Sequence, residues 1–282
     1  MSYVLQTNHL TKKMNGKKLI KDVNIHVKKG EIYGFLGPNG AGKSTTINLL
    51  LNLIDKDSGE IEILGLHYPK DETKIKQQIG VAFDECFYPE ELTPHDMGVI
   101  LSGAYKEWDN EQYYQLLQRF SIPKMQTISS FSRGMKMKLD IIAAMSHHAK
   151  LLVLDEATTG LDPVVRDEIL DMFIEYVKSQ NSSILFSSHI ISDVEKAADI
   201  VVLINRGRII FQEKKEQLLQ RYCISECKTT IPIKHISQKE TEKGVQYLID
   251  KRDAQPALKY RTATLEEILL FFMRGGDTKC ED

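Results

Sequence analysis

The chain has 282 residues, enough to bury a large core as one domain, with or without an appendage. Its 37 Lys and Arg nearly balance 39 Asp and Glu, and the net charge of −2 argues against an electrostatic nucleic-acid binder. No segment approaches the roughly 18 uninterrupted apolar residues of a membrane span, and residues 1–6 lack the charged and apolar regions of a signal peptide. The expectation is a protein that stays in the cytosol, with any membrane role exercised through a spanning partner.

In chain order, Val23, Ile25 and Val27 alternate with polar neighbours, as a half-buried strand requires. Residues 31–36 read as a strand, 45–53 as a helix, and 59–65 and 79–83 as further short strands. From about 90 to 145 the period turns helical: Tyr113, Leu116, Leu117 and Phe120 share one face, and Met135, Leu139, Ile142 and Ala143 another. The pair His147 and His148 reads as an exposed helix end. Residues 151–154 are wholly apolar, which suits a central parallel strand buried on both faces. Val165, Ile169, Phe173 and Val177 mark a helix, 183–186 a strand, and 200–212 a hairpin turning at Asn205-Arg206-Gly207. Beyond 219 the pattern weakens, with strands expected at 228–236 and 245–250 and an amphipathic helix at 265–274. Strands alternating with helices predict an α/β sheet with a mostly helical insertion and a small α/β appendage.

The four cysteines, Cys86, Cys223, Cys227 and Cys280, are too sparse for a disulfide framework. Cys223 and Cys227 would share a face if that segment were helical, but no His or second Cys pair completes a metal set. Buried or half-buried thiols are expected.

Residues 37–45 carry the strongest chemical signal. Gly37-Pro38-Asn39-Gly40-Ala41-Gly42-Lys43-Ser44-Thr45 fits the pattern Gly-x4-Gly-Lys-Ser/Thr, between a strand and a helix. Backbone N–H groups of such a loop surround a chain of phosphates, Lys43 reaches the β- and γ-phosphates, and Ser44 reaches Mg²⁺. The helix offers its positive N-terminus to the same anion. Asp155 and Glu156 end the apolar run 151–154, 112 residues after Lys43. There Asp155 can hold Mg²⁺ through water and Glu156 can take a proton from an attacking water. Ser132 and Gly134 open a helix, where a hydroxyl and free N–H groups suit an anion. Gly160-Leu161-Asp162 follows the acids, and His189 follows the strand at 183–186, placed to hydrogen-bond a γ-phosphate.

With these five motifs in this order, residues 1 to about 219 resemble the nucleotide-binding subunits of ABC transporters. The resemblance implies a P-loop NTPase core of ABC type with an antiparallel β subdomain, a helical subdomain at about 86–148 and an accessory region at 220–282. It also implies a head-to-tail dimer, with another copy or a paralogue, in which MgATP on Asn39, Gly40, Ala41, Gly42, Lys43, Ser44 and Thr45 of one chain is covered by Ser132 and Gly134 of the other. Asp162 would be a further nucleotide-binding residue. Glu156 would be the general base, Lys43 and His189 the γ-phosphate contacts, and Ser44 and Asp155 the Mg²⁺ ligands. A membrane-spanning permease would be the partner, with this chain at the cytoplasmic face of the cell membrane and no nucleic acid involved. Residues 87–92 lie where the family docks a cytoplasmic helix of that permease. Residues 105–109 and 264–272 look like bacterial exporters of antibiotics and of antimicrobial or cytolytic peptides, such as phenol-soluble modulins.

Three departures stand out. Met14 occupies the place of an aromatic residue that usually stacks on adenine, and a thioether stacks less well. Asp84 stands where a Gln usually meets Mg²⁺ and the attacking water, and would bring a charged ligand to the ion. Phe131, Arg133 and Met135 replace the common Leu, Gly and Gln around Ser132 and Gly134. A DNA-repair ATPase of this kind would insert a long coiled coil between Lys43 and Asp155, and a translation factor would carry two cassettes; neither is seen. A non-hydrolysing nucleotide sensor is the remaining alternative.

Overall fold

The computed structural model describes residues 3–14, 16–227, 234–242, 244–254 and 259–274. Strands β1 (Tyr3–Met14), β2 (Lys17–Val23) and β3 (His26–Lys28) come first, and β4 (Ile32–Leu36) leads through the phosphate loop into α1 (Lys43–Leu50). Next are β5 (Ser58–Ile63), β6 (Leu66–His67), α2 (Glu72–Lys76) and β7 (Ile79–Ala82). Helices α3 (Pro94–Ala104), α4 (Asn110–Arg119) and α5 (Arg133–Met145) precede β8 (Leu151–Leu154). Then come α6 (Pro163–Gln180), β9 (Ser183–Ser188), α7 (Ile191–Ala197), β10 (Ile200–Asn205), β11 (Arg208–Lys214) and α8 (Lys215–Arg221). Strands β12 (Tyr222–Cys227), β13 (Ser237–Thr241), β14 (Gly244–Asp250) and β15 (Arg261–Thr262) lead to α9 (Leu265–Arg274).

The central sheet has the order β11-β10-β4-β9-β8-β7, parallel except for the β10–β11 hairpin. Every residue of β4, β8, β9 and β10 is buried, as strands covered on both faces must be. Leu152 and Leu154 of β8 face the core shared with α5 and α6, whereas Leu151 and Val153 face the core shared with β1, β2 and α1. Because β4, β9 and β8 are neighbours, the phosphate loop, His189 and the acids at 155–156 all leave the sheet at its carboxyl edge, where open α/β sheets bind ligands. A second sheet, β2-β1-β5-β6 with β3 added to β1, forms the antiparallel layer.

Helix starts follow local chemistry. Thr93 and Asp96 make a reciprocal capping box before α3, with Pro94 at the first helical position. Ser132 caps α5 by accepting the Met135 N–H, and Asp162 caps α6 by accepting from Val164 and Val165.

Several expectations are corrected. The helix after the phosphate loop begins at Lys43, not Thr45, because the loop's last glycine already serves as its cap. His147 is no exposed helix end: α5 stops at Met145, and the His147 ring is buried, stacked on Tyr105 at 4.0 Å with Nε2 3.0 Å from the Ile79 carbonyl. Only His148 is exposed. Cys223 and Cys227 lie on strand β12 rather than a helix, buried and half-buried respectively, and Cys86 is half-buried; Cys280 falls outside the described residues. The strand expected at 228–236 falls largely outside them too, and its described part, 234–236, precedes β13. The appendage is a four-stranded sheet, β13-β14-β12-β15, and Ile268, Leu269 and Phe271 of α9 pack into the core shared with α5 and α6.

Candidate functional site

The phosphate loop turns on Gly42, whose φ of 112° caps α1 in a conformation that favours glycine; a Cβ there would come within 2.7 Å of Ile20 Cδ1. Gly207, in the β10–β11 turn, supports the loop from behind: its N–H donates to the Ala41 carbonyl at 2.9 Å, and its carbonyl accepts from Lys21 at 2.7 Å. The loop is thereby held by two other segments before any ligand arrives.

Beside it lies a pocket of about 410 Å³ lined by Leu19, Asn39, Gly40, Gly42, Lys43, Ser44, Thr45, Asp84, Glu156, Thr159 and His189. Lys43 is buried, with Nζ donating to the Gly37 carbonyl at 2.8 Å and 3.2 Å from Glu156 Oε1. Glu156 Oε2 accepts from Thr159 at 2.5 Å and meets His189 Nδ1 at 2.7 Å. Burial raises the Glu156 pKa, but hydrogen bonds from Thr159 and His189 and the Lys43 charge outweigh it, holding the carboxyl below its ordinary range. Glu156 therefore stands ionised, as a proton acceptor must. Its backbone has φ 51°, a left-handed corner costing about 1–2 kcal/mol in a non-glycine residue, which bends the chain sharply after β8.

Asp155 is buried at the end of β8, where Ser187 Oγ donates to its Oδ1 at 2.5 Å and Ser44 also hydrogen-bonds the carboxylate. Burial pushes its pKa up, and the nearby negative charges of Glu156 and Asp84 add to that. Ser187 Oγ also accepts the Glu156 N–H at 2.9 Å, so one hydroxyl on β9 fixes both acids. The oxygen set Ser44, Asp155 and Asp84 suits a hard cation such as Mg²⁺. Among the described residues no cluster of three or more His, Cys, Asp or Glu could hold a metal alone.

The loop residues, Asp84, Glu156 and His189 thus meet in one place. Ala41 is buried beneath the loop, and Asp155 stands behind Ser44. Ser132, Gly134 and Asp162 do not border the pocket of their own chain. Met14 does not either: it is 58% exposed at the end of β1, and Leu19 of β2 lines the pocket instead. Leu19 and Thr159 were not singled out from sequence. Thr159 could have been, as a hydroxyl three residues after the general-base candidate; Leu19 carries no local signal.

The ABC transporter family model matches residues 20–159. The chain is 36% identical over 221 residues to the uncharacterized ABC transporter ATP-binding protein YcbN of Bacillus subtilis, covering 77% of this chain and 72% of that one. It is 36% identical over 224 residues to the bacitracin transport ATP-binding protein BcrA of Bacillus licheniformis, covering 78% and 73%. Against the linearmycin resistance ATP-binding protein LnrL of B. subtilis it is 34% identical over 227 residues, covering 77% and 71%. Among solved structures, an ATP-binding subunit of an ABC transporter superposes with TM-score 0.69 at 27% identity, covering 77% of this chain and 92% of that one. CbiO1 from Clostridium perfringens, part of the complex cbiONQ, gives TM-score 0.69 at 26% identity, covering 78% and 92%. Like those relatives, the chain belongs to the ATP-binding subunits of ABC transporters, a nucleotide-binding family of ATPases coupled to transport.

Proposed function

We propose that this chain is the motor of an exporter, closing as a head-to-tail dimer on two MgATP and driving a separate membrane permease. The observation that carries the reading is the convergence of Lys43, Glu156 and His189 at the phosphate pocket, with Glu156 ionised. Lys43 and His189 bind the γ-phosphate, and Glu156 takes the proton from the attacking water. Asn39, Gly40, Ala41, Gly42 and Thr45 cradle the phosphates, and Met14 contacts the base. Mg²⁺, held by Ser44, Asp155 and Asp84, would neutralise charge on the transferring phosphoryl group. Ser132 and Gly134, absent from the pocket of their own chain, cover the nucleotide of the partner chain, and Asp162 is a further nucleotide-binding residue. Residues 1–219 are the cassette, with its helical part at about 86–148, and 220–282 an accessory region.

Bacitracin or linearmycin handling by relatives supports a peptide or antibiotic cargo. No helix among the described residues is long and apolar enough to cross a membrane, so the permease must supply the path. Phe87, 73% exposed on the loop after Asp84, is suited to contact it.

The test is Mg²⁺-dependent ATP hydrolysis by the purified chain beside Glu156→Gln, with molar mass recorded with and without ATP. Turnover abolished by the substitution, with ATP-bound dimers accumulating, is the expected result. Unchanged turnover in Glu156→Gln removes that residue from its role. A chain that binds ATP but never hydrolyses it favours the sensor reading.

A further inference from the structure

Asp193 is the third residue of α7, 1% exposed, and does not border the phosphate pocket. An acid in a helix's first turn commonly takes the N–H of the cap residue. Here the Ile190 N–H goes to Ser188 Oγ at 2.9 Å, and the Asp193 carboxylate turns inward. Its Oδ2 accepts the Thr158 hydroxyl at 2.6 Å and lies 3.5 Å from Ser188 Oγ. Its Oδ1 is 3.9 Å from Arg166 Nη1, and Arg166 Nη2 is 3.5 Å from the Leu161 carbonyl.

One carboxylate thus gathers the loop after β8, the end of β9 and the start of α6. Two of its neighbours stand next to the reacting groups. Thr158 precedes Thr159, whose hydroxyl donates to Glu156, and Ser188 precedes His189. Sequestering an acid this deeply is costly unless its partners are well placed, and an apolar side chain would fill the same space without that cost. The guanidinium at 3.9 Å is a distant counter-charge, so stability alone is a poor reason for an acid here.

We propose that Asp193 is a positioning residue that ties the His189 segment to the loop holding Glu156, keeping the imidazole on the carboxylate. The proposal rests on the roles given above to Glu156 and His189. The strand ends are already joined once by Ser187; Asp193 supplies the second tie, beyond the site, and two ties restrain a hinge where one does not.

The test uses the full chain with Asp193→Ala, Asp193→Asn and Thr158→Val. Four quantities are read: thermal midpoint, affinity for a fluorescent trinitrophenyl-ATP, kcat, and the ring ¹⁵N–¹H resonances of His189. In Asp193→Ala we expect kcat to fall at least about tenfold while nucleotide affinity stays within about threefold, with the His189 resonances shifted or broadened. Asp193→Asn keeps an acceptor for Thr158 but loses the charge, and should fall between. Thr158→Val should move His189 in the same direction, and the double variant should be no worse than Asp193→Ala alone. Unmoved His189 resonances in a folded Asp193 variant overturn the proposal, whatever happens to the midpoint. Should Asp193→Ala not fold, Asp193→Asn and Thr158→Val decide by the same resonances. Absence of turnover in the wild-type chain would end the reading of Glu156 as base, whereas unmoved His189 beside normal wild-type turnover ends this one alone.

Discussion

Lys43 and Glu156 face each other as an ion pair at 3.2 Å across the phosphate pocket. The same ammonium is the group proposed to meet the γ-phosphate, so nucleotide binding and this pair compete. Glu156→Gln removes the charge that holds Lys43 and should tighten ATP binding by about 1 kcal/mol, roughly fivefold. Calorimetric titration with ATP on both proteins checks this. Equal affinity would mean that Lys43 reaches phosphate without leaving the carboxylate.

Gly207 should be intolerant of any side chain. Its φ is 77°, and a Cβ would stand 2.0 Å from the Leu19 carbonyl. Because Gly207 also braces Ala41, Gly207→Ala should lower stability by about 2–4 kcal/mol and weaken ATP binding as the loop loses its support. Urea unfolding and ATP titration measure the two effects. A stability loss with unaltered ATP affinity would separate the turn from the loop.

What the sequence made legible was contiguous. The phosphate loop, the apolar strand ending in two acids and the strand before His189 each carry their chemistry within ten residues, and the structure unites them as the alternation of strands and helices implies. What it hid were relations between distant segments. Nothing local marks Leu19 as a pocket wall, since it is one apolar residue in a short edge strand. His147 looked exposed because a His pair after a helix is usually solvated; its burial depends on Tyr105, 42 positions earlier, which supplies a stacking face. The strand expected at 245–250 is β14, whereas β12 carries no signal of its own because it follows α8 with no intervening turn residue, so the change of period has no punctuation.

Asp140 gives stability a pH dependence. It is 7% exposed within α5, and burial pushes its pKa up to about 7, against the opposing hydrogen bond from the Phe83 backbone. Below about pH 4 both folded and unfolded chains hold this proton, so it contributes nothing. Between that point and about 7 the unfolded chain releases the proton while the folded one keeps it, and stability falls as pH rises. Above it both are ionised and the penalty is constant, on the order of 4 kcal/mol. Asp140→Asn removes the titration, so it should exceed the wild type in stability near pH 8 by that order and match it near pH 4. Denaturant unfolding at the two pH values decides; an equal offset at both would assign the effect to packing.

The adenine side of the site yields the last prediction. Met14 is 58% exposed at the end of β1 and does not border the pocket, whereas Leu19 does. A base seated beside the phosphate loop would find the Leu19 side chain as an apolar wall. Replacing Met14 by Tyr supplies a ring, and stacking is worth about 0.5–1.5 kcal/mol. ATP affinity should therefore rise roughly two- to tenfold in Met14→Tyr, with GTP gaining as much because every purine presents the same face. Leu19→Ala should weaken both nucleotides by about 1 kcal/mol, since it removes the wall itself. Titration of the two variants with ATP and GTP separates the positions. If Leu19→Ala leaves both affinities unchanged while Met14→Tyr raises them, the base lies over β1 and not β2, and the nucleotide enters the site from the Met14 side.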